Sequence, residues 1–271
     1  MSTFSILSKA DSSLVSGYPF PHIIVKNALP DNLAQSLTSN FPIDLFDDDK
    51  NNTRFDYSAL EVSKDKSLIS HWKEFIDYHS SESFFMEVLE VFKNHISRDD
   101  YEKYRNMKSS KRGSEIHEED KMYLDAQISI NSPVTKTSSV RKIHVDNSNK
   151  LFSGLFYLRL PEDDSVGGNL ELYEWKESYS LRNKIKIYQE GLNPKFCNLV
   201  KEVGYENNVG IVFLNSINSL HGVSERQKTN HPRCFVNLVG ETKKDIFRKH
   251  GFFKKKFHDM RVLITKIKKS L

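Results

Sequence analysis

The chain has little that crosslinks, spans or repeats. Two cysteines, Cys197 and Cys234, in 271 residues are too few for a disulfide framework and lack the paired spacing of a zinc knuckle, so a reducing compartment fits. No stretch approaches the roughly 20 apolar residues of a membrane-spanning helix. The first residues, Met1-Ser-Thr-Phe-Ser-Ile-Leu-Ser-Lys9, contain no long apolar run of the secretory kind. A cytoplasmic protein without a transmembrane segment is therefore expected. Internal repeats and low-complexity linkers are lacking too, which argues against a solenoid or a string of modules. Charge is not lopsided, since the net value is only +4.

What is present reads as a folded, soluble chain: 11% aromatic and 28% charged residues, long enough for a sizeable core. The texture of the chain implies a simple organisation. Residues 1–241 form a single domain, with 1–121 as helical support and 122–241 as a core of short strands. Residues 242–271 are a basic extension, expected to be helical, with Lys254-Lys255-Lys256 and Lys268-Lys269. That cluster makes an anionic partner such as nucleic acid a weakly supported alternative to a solvated helix face.

Tyr18 to Val25 reads as extended, and a helix begins after Leu29-Pro30, with Leu29, Leu33, Leu37 and Phe41 four apart on one stripe. Leu68, Trp72, Phe75 and Ile76 mark a second helix, and Phe84/Phe85, Val88/Leu89, Phe92 and Ile96 a third. Their period is that of core-facing helices covering a sheet. Ser97 to Lys121 is highly charged and poorly periodic, and reads as a loop or mobile cover. After Met122 short strands take over: Leu124 to Ile130, Gly154 to Leu160, Asn169 to Trp175, Val209 to Leu214 and Arg233 to Val239, with Gly167-Gly168 as a turn. Leu124, Ala126, Ile128 and Ile130 take one face, and Asp125, Gln127, Ser129 and Asn131 the other, toward a cavity. Trp175 to Asn198 is a basic insertion. The expected fold class is mainly β with flanking helices (α+β), a sandwich or jelly roll covered on one side by the N-terminal helices.

The chemistry centres on Arg141-Lys-Ile-His144-Val-Asp146-Asn147. In extended backbone, residues two apart project to the same side, so His144 and Asp146 reach one ion. His221, just after the strand Val209 to Leu214, is the candidate third ligand. Two histidines and one carboxylate with open positions suit non-haem ferrous iron, whereas a structural zinc would want a fourth protein ligand, and no cysteine is suitably placed. His117-x-Glu119 has the same spacing as His144-x-Asp146. It sits in a run of charge with no strand around it and reads as solvated surface.

Ile143-His-Val-Asp-Asn-Ser-Asn149, Gly154 to Leu158, Gly167-Gly168-Asn-Leu170 and His221 followed by Arg233 occur together and in order. In this the stretch from Leu124 to Glu241 resembles the iron(II)- and 2-oxoglutarate-dependent dioxygenases, the prolyl-4-hydroxylase branch above all, and Pro19-Phe-Pro-His22 is also typical of that branch. The resemblance implies a double-stranded β-helix with His144, Asp146 and His221 as iron ligands. It also implies 2-oxoglutarate and O2 as cosubstrates, with ascorbate as a reductant. The reaction would be hydroxylation of an aliphatic C–H bond in a peptide or small molecule, with release of succinate and CO2. A basic residue after the distal histidine would hold the far carboxylate of 2-oxoglutarate. Arg226, Lys228 and Arg233 compete for this, and Arg233 is preferred because it opens an apolar run while the other two sit in a hydrophilic turn. Tyr157 is the matching partner of that carboxylate or else a core aromatic. Gln127 and Asn131 face the cavity and would orient substrate or cosubstrate, and Asn147 would brace the metal loop. The competing readings are a cupin-like metal-binding jelly roll without oxygenase activity, and a nucleic-acid or protein demethylase that uses the basic extension.

Overall fold

The computed structural model describes residues 4–46, 50–114, 118–176 and 191–247. Five helices and ten strands lie in them, in the order β1 (His22–Lys26), α1 (Asp31–Ser39), β2 (Arg54–Tyr57), α2 (Ala59–Lys64), α3 (Ser70–His79), α4 (Glu82–Phe92), α5 (Arg98–Arg105), β3 (Lys108–Lys111), β4 (Lys121–Asn131), β5 (Lys150–Tyr157), β6 (Leu170–Trp175), β7 (Cys197–Val203), β8 (Val209–Leu214), β9 (Leu220–Val223) and β10 (Arg233–Glu241). The major sheet runs β1-β8-β5-β10-β4-β2, with β3 also on β4, and the minor sheet runs β7-β6-β9. All pairings are antiparallel except β3 with β4. Two facing antiparallel sheets with helices on one outer face are the expected jelly-roll architecture.

Register explains how one sheet serves two purposes. Ala126, Leu238, Gly154 and Val212 lie side by side across β4, β10, β5 and β8. The row of Ile128, Val236, Phe156 and Gly210 lies beside it. These rows face the helices, where Trp72, Phe75, Phe84, Phe85, Val88 and Phe92 are fully buried against them, and the Phe75 ring lies 5.4 Å from that of Phe156. Each such side chain contributes about 1.5–3 kcal/mol by leaving water. The alternate rows face the interior between the sheets: Arg54, Asn131 and Arg233 in one, Gln127, Asn237 and Leu155 in another, Asp125, Val239, Ser153 and Phe213 in a third. The period-two alternation of β4 is thus the boundary between core and cavity.

Ser97 to Lys121 departs from the expected loop. Ser97 caps α5 by accepting from the Asp100 N–H, Asp99 and Asp100 stand in the first turn, and Lys103 and Arg105 in the last. Capping and a charge order that suits the helix dipole make a helix out of a segment with only Tyr104 buried. β3 follows, so residues before 122 supply three strands of the major sheet as well as the helices. His117 and residues 177–190 and 248–271, which include most of the basic insertion and extension, lie outside the described residues. The C-terminal part of that insertion forms the start of β7. Among the described residues no helix is long and apolar enough to cross a membrane.

Candidate metal centre

The run from Val134 to His144 forms few regular strand contacts but lies along β9 and its continuation, bridging Val134 to Thr229, Ser138 to Arg226 and His144 to His221. The last bridge exchanges both backbone hydrogen bonds, at 2.9 and 3.0 Å, and brings the two imidazoles to a centroid separation of 4.3 Å. His144 belongs to this single bridge and not to a strand proper. One ligand atom from each of His144, Asp146 and His221 comes within 4.8 Å of the others. Both histidines are buried, at 4% and 7% exposure.

The hydrogen bonds around the three side chains prepare them for a cation. His144 Nδ1 donates to the Lys142 carbonyl at 2.8 Å and His221 Nδ1 to the Ser219 carbonyl at 2.9 Å. A carbonyl only accepts, so the proton of each neutral ring is on Nδ1 and the Nε2 lone pair is free. Burial, with the His144 ring beside it, lowers the His221 pKa from 6.5 to about 3, which keeps that ring neutral at pH 7. Burial alone would raise the Asp146 carboxyl, but its charged surroundings, the Lys150 ammonium first among them, outweigh it and hold it well below the usual carboxylate range. One carboxylate and two imidazole nitrogens thus converge. Asp146 Oδ2 is held by Ser153 Oγ at 2.6 Å and Lys150 Nζ at 3.3 Å, and Ser153 Oγ in turn accepts from Asn215 Nδ2 at 2.9 Å. Asp146 Oδ1 faces His144 Nε2 at 3.6 Å. The donor set fits a divalent ion with open positions.

Arg233 lies at the other end of the same cavity, which has a volume of about 400 Å³. It is 1% exposed. Its Nε donates to the Gly168 carbonyl at 2.7 Å, Nη1 to Asn131 Oδ1 at 3.1 Å and Nη2 to the Tyr157 hydroxyl at 2.8 Å. A guanidinium has five N–H donors, so these three bonds leave one on each terminal nitrogen for a further acceptor such as a carboxylate. Tyr157 accepts from Arg233 and keeps its own O–H to donate. The Arg233 charge also lies over the rings of Tyr157 and Phe235, at 4.8 and 4.7 Å. Gly168 makes this fit possible: its φ is +79°, and a Cβ there would stand 3.1 Å from side-chain carbons of both Arg226 and Arg233.

No protein-family model and no curated protein matches the sequence. Among solved structures, the chain is similar to a protein from Shewanella oneidensis provisionally assigned as an oxygenase, at 12% identity over 89% of this chain and 90% of that one, with a TM-score of 0.52. A prolyl-4-hydroxylase from Pseudomonas putida is similar at 11% identity over 82% of this chain and 92% of that one, TM-score 0.46. The Fe(II)/(alpha)ketoglutarate-dependent dioxygenase TqaL is similar at 13% over 85% and 87%, TM-score 0.40. The chain thus shares its fold with the Shewanella protein. At these identities the likeness is one of fold, and the chemistry has to be argued from the residues.

Within this fold the sequence-derived candidates are distributed unevenly. His144, Asp146, His221, Arg233, Gln127 and Asn131 all line one cavity. Asn131 and Tyr157 touch Arg233, while Gln127 Oε1 accepts from Asn237 Nδ2 at 2.8 Å on the cavity wall. Arg226 is a correction. It does not sit in a hydrated turn but is 0% exposed, donating to Asn52 Oδ1, Ser132 O and His231 O at 3.2, 3.0 and 2.7 Å. The bridge to Ser138 turns its side chain inward, where it ties loops together. Asp146 is braced by Ser153 and Lys150, residues the sequence reading passed over. Ser153 shares the parity of Leu155 and Tyr157 on β5, and that was the available signal. Glu119, of the decoy pair, forms an exposed ion pair with Lys244 at 2.6 Å.

Proposed function

We propose that the protein is a non-haem iron(II)- and 2-oxoglutarate-dependent oxygenase that hydroxylates an aliphatic C–H bond. The single observation that carries this reading is the shared cavity: a facial donor set of two imidazoles and a carboxylate at one end and a buried arginine with two free N–H groups at the other. A ferrous ion held there, with 2-oxoglutarate and O2, supplies the oxidising power, with succinate and CO2 as co-products. His144, Asp146 and His221 would hold the ion. Arg233 and Tyr157 would grip the far carboxylate of 2-oxoglutarate, and Asn131 and Gly168 orient the arginine. Enclosure by Phe213, Leu155, Leu170 and Phe235 excludes water from the reacting region and strengthens each of these polar contacts. Ascorbate as reductant belongs to the same reading.

A cupin-like binding protein would share the metal ligands but has no need of a buried, carboxylate-ready arginine. Anaerobic addition of Fe(II) and 2-oxoglutarate to the full chain is expected to produce the weak visible absorption band of a chelated complex. Arg233→Lys, which keeps the charge and loses the fork, is expected to weaken 2-oxoglutarate binding by about 10–100-fold, the loss of one or two charge-assisted hydrogen bonds at 1.5–3 kcal/mol. A folded protein that shows no band at saturating ligand would refute the oxygenase reading. Unchanged 2-oxoglutarate affinity in Arg233→Lys would remove the arginine from it.

A further inference from the structure

The side chains lining the cavity are unbalanced in charge. Arg54, Arg112, Arg141, Lys150 and Arg233 line it with Asp56 and Asp146, and Asp125 and Glu241 lie beside Arg112, so cations still outnumber carboxylates. Ferrous iron and the two carboxylates of 2-oxoglutarate cancel in charge, so loading the site as proposed above leaves this excess in place.

Most of these cations are engaged. Arg54 Nε pairs with Asp56 at 2.8 Å and its guanidinium lies 5.4 Å from the Phe235 ring. Arg112 pairs with the buried Glu241 at 2.8 Å and lies 3.8 Å from Asp125. Lys150 is on Asp146, and Arg233 is held as described. Arg141 differs. Its backbone is fixed, the N–H by Ser139 Oγ at 3.2 Å and the carbonyl by the Val223 N–H at 2.9 Å, but among the described residues its guanidinium has no hydrogen bond and no ion pair. It is exposed, lies three positions before His144 on the wall that carries two of the candidate ligands, and faces the cavity. Arg54 stands on the opposite wall, beside Asn131 and Arg233 in register. A guanidinium placed by a fixed backbone at the mouth of a cavity with a positive field is suited to an incoming carboxylate or phosphate, which it meets with parallel hydrogen bonds.

We propose that the primary substrate is a small molecule bearing a carboxylate or phosphate, and that Arg141 binds this anion at the cavity mouth, with Arg54 as a second contact from the facing wall. The proposal rests on the oxygenase reading for the role of the bound molecule as substrate. Size agrees with a small acid: about 400 Å³ is toward the lower end of the roughly 300–1,000 Å³ of ligand pockets, and the cosubstrate takes part of it.

The test is calorimetric titration of the full chain, both metal-free and saturated with Mn(II) and 2-oxoglutarate. The probes are three pairs in which only one member carries an anionic group: butyrate against butyramide, N-acetylglycine against N-acetylglycine amide, and glycerol phosphate against glycerol. At least one anion is expected to bind about tenfold tighter than its neutral partner, the worth of one charge-assisted contact, and the pair that shows it separates carboxylate from phosphate. Arg141→Gln should abolish the preference and Arg141→Lys retain part of it. Both variants should bind 2-oxoglutarate within twofold of wild type and melt at the wild-type temperature, because the side chain is exposed and unpaired. Equal binding of charged and neutral partners, or a preference that survives in Arg141→Gln, overturns the proposal. Failure of wild-type protein to bind 2-oxoglutarate in a Mn(II)-dependent manner overturns instead the oxygenase reading and the substrate role built on it, and the metal-free titration then decides the anion preference alone.

Discussion

Ser153 is small and chemically plain, yet the orientation of Asp146 depends on it. Its one proton is committed to Asp146 Oδ2 at 2.6 Å because Asn215 donates into its oxygen from the other side at 2.9 Å. Without that proton the carboxylate keeps Lys150, at 3.3 Å, but loses its directional tie. Ser153→Ala is therefore expected to weaken Mn(II) or Fe(II) binding by about 10–100-fold, the usual cost of removing a group that orients a metal ligand. Metal titration followed by fluorescence or calorimetry measures it, and wild-type affinity in the variant would show that the serine only fills space. At this scale His144, Asp146, His221 and Arg233 stood out as candidates by side-chain type and spacing, and the structure brings them to one cavity. Ser153 was not, since a serine takes its meaning from its neighbours, and its two partners lie 7 and 62 positions away.

Between elements, the geometry of the candidate metal centre depends on how closely the run before His144 approaches β9. Gly222 permits that approach: a Cβ there would lie 3.3 Å from Ile143 N, 3.4 Å from Ile143 Cα and 3.5 Å from the Arg141 carbonyl. Backbone yields less readily than a side chain, so Gly222→Ala is expected to displace the run by a few tenths of an ångström and move His144 relative to His221. Sub-ångström misplacement of a ligand supports a loss on the order of tenfold in metal affinity, with little change in melting temperature. The same titration read on this variant checks it, and unaltered affinity would mean the run is free to adjust. The helices α1, α3 and α4 were legible from their apolar period, and β4 from its alternation. α5 was not, because it buries only Tyr104 and is held by its cap and charge order, features that a search for apolar stripes passes over.

Over the whole molecule, acid sensitivity follows from how the helical layer is packed. His79 is 1% exposed, its Nδ1 donates to the Phe75 carbonyl at 2.8 Å, and its Nε2 accepts from the Ile6 N–H at 3.2 Å. Burial lowers its pKa from 6.5 to about 3. The unfolded chain binds a proton at this residue below pH 6.5 while the folded chain does not until about pH 3, so protons favour unfolding across that window. Stability contributed by the neutral ring is present in full above 6.5 and is lost as pH falls toward 3, at about 1.4 kcal/mol per pH unit for one group. Urea denaturation of wild type and His79→Gln between pH 6 and pH 4 isolates the effect. The variant is expected to have a pH slope shallower by about 1.4 kcal/mol per unit, and parallel slopes would show that His79 is protonated in the folded state.

By itself the sequence singled out the residues proposed to carry the chemistry and determined which faces of the longer elements are buried. Side-chain type limits the first, and periodicity of 3.6 or 2 sets the second through backbone geometry alone. Only the tertiary structure decided which arginine meets the cavity. Arg226 and Arg233 are both buried cations close to the same glycine, but strand pairing turns one into the loops and the other beside Asn131, Tyr157 and the open volume. It also decided that Asp146 is oriented from β5 and the end of β8, and that Arg141 remains without a described partner at the mouth. Those outcomes depend on register between strands far apart in the chain, which pairing and packing set and local sequence does not contain.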